Sequence, residues 1–214
     1  LCVSDALREY MAAHGFTNLQ TLHNGIDVSF WADAPSQQEA RKVLGLPQDR
    51  TLFLYAGRLG YDKGNDIVEH AVPDGADVIL AGSALNSIHH TNVHRFEHQS
   101  SRQMRTLYAA CDAALVPSRC LDCFPTICLE AMAAGRPVLA TSWGGAQESI
   151  VDNKTGWVID PFDADAWRER MTWCTRHPEE MSEIGKQAKE HVRQQFSLER
   201  YLDDVEQLYR QTRP

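Results

Sequence analysis

Between residues 51 and 159 the chain carries short runs in which apolar residues follow one another without polar alternation. They lie at 51–56 (Thr-Leu-Phe-Leu-Tyr-Ala), 77–81 (Asp-Val-Ile-Leu-Ala), 113–116, 137–140 and 156–159. A strand that shows water neither face reads this way, which is the condition of a parallel sheet covered on both sides. Stretches with helical spacing separate the runs: 63–71, 102–110, 126–134 and one beginning near Ala146. Parallel neighbours need such long crossovers. The pattern predicts an α/β fold, a Rossmann-like doubly wound parallel sheet with helices on both faces.

The flanks add helices. Residues 4–14 have helical spacing with Ser4 placed as an N-cap, 18–23 read as a short strand ending at an Asn24-Gly25 turn, and 36–44 as a helix. From Asp163 onward the chain is charged and helical, with Pro178 dividing one helix from the next and Phe196-Ser197 breaking before 198–210. With 214 residues, 43% hydrophobic and 23% charged, there is material for one core. Residues 1–214 are therefore expected to form a single domain whose segment 163–214 is a helical tail.

A formal charge of −8 argues against broad nucleic-acid binding, because phosphate neutralisation needs a basic surface. No apolar run approaches the roughly 18–20 residues of a membrane helix, and residue 1 is not followed by a secretory layout, so a soluble cytoplasmic protein is expected. The opening Leu1-Cys2-Val3-Ser4 reads like the interior of a longer protein, so an excised half is expected. Six cysteines in this setting are expected to be free thiols. Cys120-Leu-Asp-Cys123 has the spacing of a redox or zinc pair, but no second Cys or His pair accompanies it. The run His89, His90, His94 and His98 reads as solvated loop histidines, and Trp143, Trp157, Trp167 and Trp173 as packing residues.

Two segments carry chemistry. After the run 51–56 comes Gly57-Arg58-Leu59-Gly60-Tyr61-Asp62-Lys63-Gly64, which puts two cations at the carboxyl edge of a parallel strand, where open α/β sheets bind ligands. Gly57 and Gly60 let backbone approach a guest closely, Arg58 offers a planar fork, and Lys63 a compact charge. A diphosphate suits that set; a solvated surface loop is the alternative. The second segment, Asp122-Cys-Phe-Pro-Thr-Ile-Cys-Leu-Glu130, again follows an apolar run and opens a helix. Helix amides and dipole there favour an anion. Glu130, one turn in, can accept from a ribose diol and Asp122 from sugar hydroxyls; a dipole-stabilised carboxylate and a turn residue are the plain alternatives.

Taken together, Val3-Ser4, Asn24-Gly-Ile-Asp27, Gly57-Arg58 with Lys63-Gly64, Pro117-Ser118, Asp122 to Glu130, Gly135-Arg-Pro-Val138, Gly144-Gly145 with Glu148, and Thr155-Gly156 occur in an order that resembles family 4 of the retaining glycosyltransferases. That family has the GT-B architecture of two Rossmann-like domains facing across a cleft, and the resemblance is to the C-terminal, donor-binding one over roughly residues 3–160 and the tail. It implies a nucleoside diphosphate sugar as donor, an N-terminal acceptor domain as partner and no metal cofactor. It also implies peripheral membrane contact through the absent half as an open option. By resemblance Gly57, Arg58 and Lys63 meet the diphosphate and Glu130 the ribose. Asp122 meets the transferred sugar, and backbone after Phe124, at Thr126 and Ile127, meets phosphate or sugar. His98-Gln99 stand where the family contacts the base. Arg58, Lys63 and Asp122 are the expected catalytic residues, with Arg58 and Lys63 stabilising the departing diphosphate. Asp122 replaces the usual Glu, and Pro125 replaces a frequent Gly and removes an N–H donor. A non-catalytic nucleotide-binding module and a nucleotide-sugar epimerase are the rival readings.

Overall fold

The computed structural model describes residues 1–83 and 92–212, so His89 and His90 lie outside the described residues. Helix α1 (Asp5–Ala13) opens the chain, followed by α2 (Val28–Ala32) and α3 (Gln37–Leu44). Then come β1 (Thr51–Arg58), α4 (Asn65–His70), β2 (Ala76–Ser83), β3 (Val93–Phe96), α5 (Ser101–Ala110) and β4 (Ala113–Val116). The remainder is α6 (Thr126–Ala133), β5 (Val138–Thr141), β6 (Gly156–Ile159), α7 (Ala164–Arg176), α8 (Pro178–Gln195) and α9 (Leu198–Thr212).

The strands form one sheet in the order β3-β2-β1-β4-β5-β6, every pair parallel. The chain runs outward from β1 through β2 to β3, then returns to place β4 on the other side of β1. Crossovers thus leave β1 and β4 in opposite directions, which opens a crevice at their carboxyl ends. Side chains alternate across the sheet. Leu52 and Leu54 enter the core formed with α3, α5, α6 and α8. Phe53 and Tyr55 enter the one formed with α4 and α7. With two apolar layers to fill, β1 has no polar alternation. This is the doubly wound sheet that the apolar runs predict.

Several local expectations are corrected. Residues 18–23 do not join the sheet: Thr21 makes a lone parallel bridge with Cys2, and Asn18 at φ 56 turns the chain just before it. The expected helix 63–71 is a 3-10 turn, Tyr61–Lys63, followed by α4, because Gly64 at φ +72 separates them. A Cβ on Gly64 would sit 2.1 Å from the Pro117 carbonyl oxygen, so close packing also requires glycine there. The helix expected near Ala146 is a 3-10 turn, Ala146–Ser149. Sequence reading passed over α2, which Asp27 caps, and β3, an edge strand whose His94 and Arg95 blur the apolar pattern. Trp143 is not a packing residue; it is 45% exposed and meets Phe162 edge-on at 5.0 Å. Among the described residues no helix is long and apolar enough to cross a membrane.

Candidate functional site

Between the carboxyl ends of β1 and β4 lies a cavity of about 120 Å³, lined among others by Gly57, Arg58, Lys63, Ser118, Asp122 and Ile127. Gly57 at φ +137 adopts a backbone that side chains rarely tolerate, and it pairs in register with Gly82, whose Cβ would lie 2.1 Å from the Gly57 oxygen. Glycine at both positions lets β1 and β2 end together and turns the chain toward Arg58.

Lys63 closes the 3-10 turn, its N–H donating to the Gly60 oxygen at 2.9 Å, and its Nζ donates to Asp122 Oδ2 at 2.7 Å. Burial pulls the ammonium toward its neutral form, and the bond and charge of Asp122 outweigh it, so Lys63 ends above its ordinary value. Arg58 donates from Nη2 to Asp62 Oδ2 at 2.5 Å, which holds the Asp62 carboxyl below its usual range. The two predicted cations therefore converge on one mouth, each with a carboxylate in hand.

The Asp122 loop is shaped by two glycines of the loop after β5. Gly145 donates its N–H to the Asp122 oxygen at 2.8 Å. A Cβ on Gly144 would lie 2.4 Å from that oxygen, and one on Gly145 would lie 1.9 Å from the Cys123 oxygen. Gly144-Gly145 thus lets the loop after β5 press on the loop after β4. The pair Gly144-Gly145 was visible in the sequence; which loop it must accommodate was not.

Glu130 sits one turn into α6, half-buried, and accepts the Tyr108 hydroxyl at 2.8 Å and the Thr126 hydroxyl at 3.3 Å. Burial raises its carboxyl above the ordinary value, and the two hydrogen bonds partly offset this. Tyr108, fully buried, is a partner of Glu130 that sequence reading missed, since an apolar-looking helix face hid its hydroxyl. Pro125 stands at the N-cap of α6 with no side-chain cap, leaving the first amides of the helix to face outward from its start.

Other predicted residues lie apart from the cavity. Phe124 is buried against His23, ring centroids 5.0 Å apart, and Phe196 at 5.7 Å. Thr126 is exposed beside Glu130. His98 and Gln99 follow β3; His98 is exposed and Gln99 Nε2 donates to the Glu97 oxygen at 2.9 Å. Two strand spacings separate β3 from β1, about 10 Å.

Glu148 gathers the N-terminal segment. Its carboxylate accepts the amides of Asp5 at 2.7 Å and Ala6 at 2.8 Å and contacts His23 Nε2 at 2.8 Å, anchoring the start of α1. The ligand atoms of Asp5, His23 and Glu148 lie within 4.8 Å of one another, but Glu148 is already an acceptor on both oxygens. His94 bonds to Asp77 at 2.8 Å. All six cysteines are free, with Cys120 and Cys123 half-buried and the others buried.

The sequence matches the family described as glycosyl transferases group 1 over residues 36–191. It is similar to the D-inositol 3-phosphate glycosyltransferase of Saccharomonospora viridis, 26% identical over 218 aligned residues that cover 90% of this chain and 50% of that protein. The fold is similar to that of the Anabaena protein HepE, solved in complex with UDP, with a TM-score of 0.89 at 22% identity over 98% of this chain and 63% of that one. It is also similar to the C-terminal domain of a glycosyl transferase group 1 family protein from Francisella tularensis. There the TM-score is 0.68 at 18% identity, covering 81% of this chain and 100% of that domain. The chain spans about half the length of the curated relatives it matches.

Proposed function

The chain belongs to the glycosyl transferases group 1 family, and from that premise we propose that it binds a nucleoside diphosphate sugar at the carboxyl edge of β1 and β4. With a second domain that presents the acceptor, it would transfer the sugar with retention of anomeric configuration. The observation that carries this reading is the convergence of Arg58, Lys63 and the start of α6 on one cavity at the switch point of the sheet.

In this reading Arg58 and Lys63 meet the diphosphate. As the glycosidic bond breaks, negative charge gathers on the leaving phosphate, and cations already in place stabilise that state more than the ground state. Asp122, freed from Lys63 by the phosphate, accepts sugar hydroxyls. Glu130, held by Tyr108, accepts the ribose hydroxyls, and His98-Gln99 stand toward the base. The reading asks for no metal, since side-chain cations and helix amides supply the positive charge.

A second domain is supported by the N-terminal segment. Cys2 donates its N–H to the Gln20 oxygen and accepts from the Leu22 N–H, both at 2.8 Å. With α1 between them, these segments form a parallel crossover held by a single bridge outside the main sheet. A single parallel bridge is not stable by itself, so it fits best beside another parallel sheet.

Thermal unfolding with UDP, GDP and ADP in turn tests the donor site. At about 100 times its dissociation constant a ligand adds roughly 2.7 kcal/mol, and each kcal/mol moves the midpoint of a domain this size by about 2–4 °C. A shift with one nucleotide, lost in Lys63→Ala, supports the reading and identifies the base. No shift with any of them, in a chain carrying its second domain, refutes it.

A further inference from the structure

The carboxylate in the Arg58 fork has no part in the function proposed above. Asp62 stands one residue before Lys63 and does not line the cavity. Its Oδ2 accepts from Arg58 Nη2, and its backbone oxygen accepts the Arg119 N–H at 2.8 Å, which fixes the turn beneath it. The ion pair lies across Gly60. A Cβ there would fall 2.4 Å from Arg58 Nη1 and 2.6 Å from Asp62 Oδ1. Gly60 has an extended backbone, φ −173, that any residue adopts. Its bare Cα therefore serves the ion pair, not a strained turn.

We propose that Asp62 is a built-in substitute for the donor's diphosphate: it holds the Arg58 guanidinium over Gly60 while the site is empty, and an incoming diphosphate must take the guanidinium from it. The inference rests on the donor site proposed above. Arg58 and Asp62 are both about half exposed, and an ion pair in that setting is weak enough to exchange. A diphosphate brings more charge and a better match to the planar fork. Breaking the Arg58–Asp62 pair offsets part of the binding energy of donor and of nucleotide product alike, which favours product release.

The experiment is calorimetric titration of the full chain and of Asp62→Asn, Arg58→Gln and the double variant with UDP, GDP, ADP and inorganic pyrophosphate. Freeing the guanidinium from its exposed ion pair should tighten binding about two- to fivefold. The gain should shrink as salt is raised and vanish in the Arg58→Gln background. A merely structural Asp62 would lower the thermal midpoint of Asp62→Asn without tightening binding, and that result overturns the proposal. So does a gain that persists without Arg58. If pyrophosphate binds with the expected gain and no nucleotide does, Asp62 keeps its role and the nucleotide reading falls. If nothing binds wild type or Asp62→Asn, both fall.

Discussion

At the carboxyl edge of β1 and β4 the charged side chains are already engaged: Lys63 with Asp122, Arg58 with Asp62, Arg119 with Asp66. On α1 and α9, apolar surface is left open instead. No residue of α1 is buried, and the α9 stripe Leu198, Leu202 and Tyr209 is exposed and contributes to neither core. The contrast follows from what each kind of surface can do without its ligand. A cation can borrow a neighbouring carboxylate and exchange it later, and among the described residues no buried side-chain nitrogen or oxygen lacks a partner. An apolar stripe has no such substitute and is satisfied only by more protein.

The largest effect expected on the polar edge is that of Lys63→Ala. It removes a cation from the leaving phosphate and strands Asp122. Transfer by the complete protein should fall by about 10²–10³, or roughly 2.7–4 kcal/mol, the scale of losing one preorganised charge-stabilising group. UDP affinity measured by titration should fall less. Equal losses in rate and affinity would reduce Lys63 to a ground-state binder.

Glu130→Gln sharpens the comparison by separating stability from binding. Burial raises the Glu130 carboxyl in the folded state, so the fold holds that proton to higher pH than the unfolded chain does. Stability therefore declines as pH rises from the ordinary value of 4.5 through the raised one, and the deficit persists above it. Glu130→Gln removes the decline. Its midpoint at pH 7 should match or exceed that of wild type, with the difference vanishing at acid pH. UDP affinity should drop about ten- to hundredfold, the worth of charged hydrogen bonds to a diol at roughly 1.5–3 kcal/mol. A lower midpoint at pH 7 would show that the Tyr108 bond needs the carboxylate.

How legible these features were in the sequence depends on the distance over which they are determined. The apolar runs at 51–56 and 113–116 announce the parallel sheet because both faces of each strand are buried, a local property of composition. The cations Arg58 and Lys63 could be placed at a strand end for the same reason. Tyr108 beneath Glu130 and Gly145 against Cys123 could not, because each matters through a residue more than twenty positions away. His98-Gln99, assigned by resemblance, stand off the edge of β3, and β3 itself was missed because an edge strand needs no apolar alternation. Asp62 was passed over because nothing local marks it as the partner of Arg58 rather than a solvated acid.

Gly25→Ala tests whether the two regions are independent. The new Cβ would sit 2.5 Å from Tyr201 Cβ and 2.8 Å from the Ser197 oxygen, where α9 leaves the body of the domain. Backbone cannot yield as a side chain can, so α9 must shift, at a cost of about 1–3 kcal/mol. The midpoint should drop by roughly 2–12 °C. UDP binding should weaken far less than stability, since the disturbance reaches the donor loop through the Phe124 ring against His23 and Phe196. Loss of UDP binding in this variant would break the comparison and make α9 part of the donor site.

The smallest effect expected in the chain alone is that of Leu202→Ser, and its value lies in that smallness. Leu202 is 55% exposed on the α9 stripe, so a polar replacement should move the stability of this chain by no more than about 0.5 kcal/mol. If a second domain covers the stripe, the same substitution in the complete protein removes a buried leucine contact worth about 1.5–3 kcal/mol. Equilibrium unfolding of both forms measures the difference directly. A large loss only in the complete protein places the neighbour on α9. Equal small losses in both would mean that the open stripe serves no domain of the same protein and that the partner sits elsewhere, on the crossover of Cys2 and Thr21.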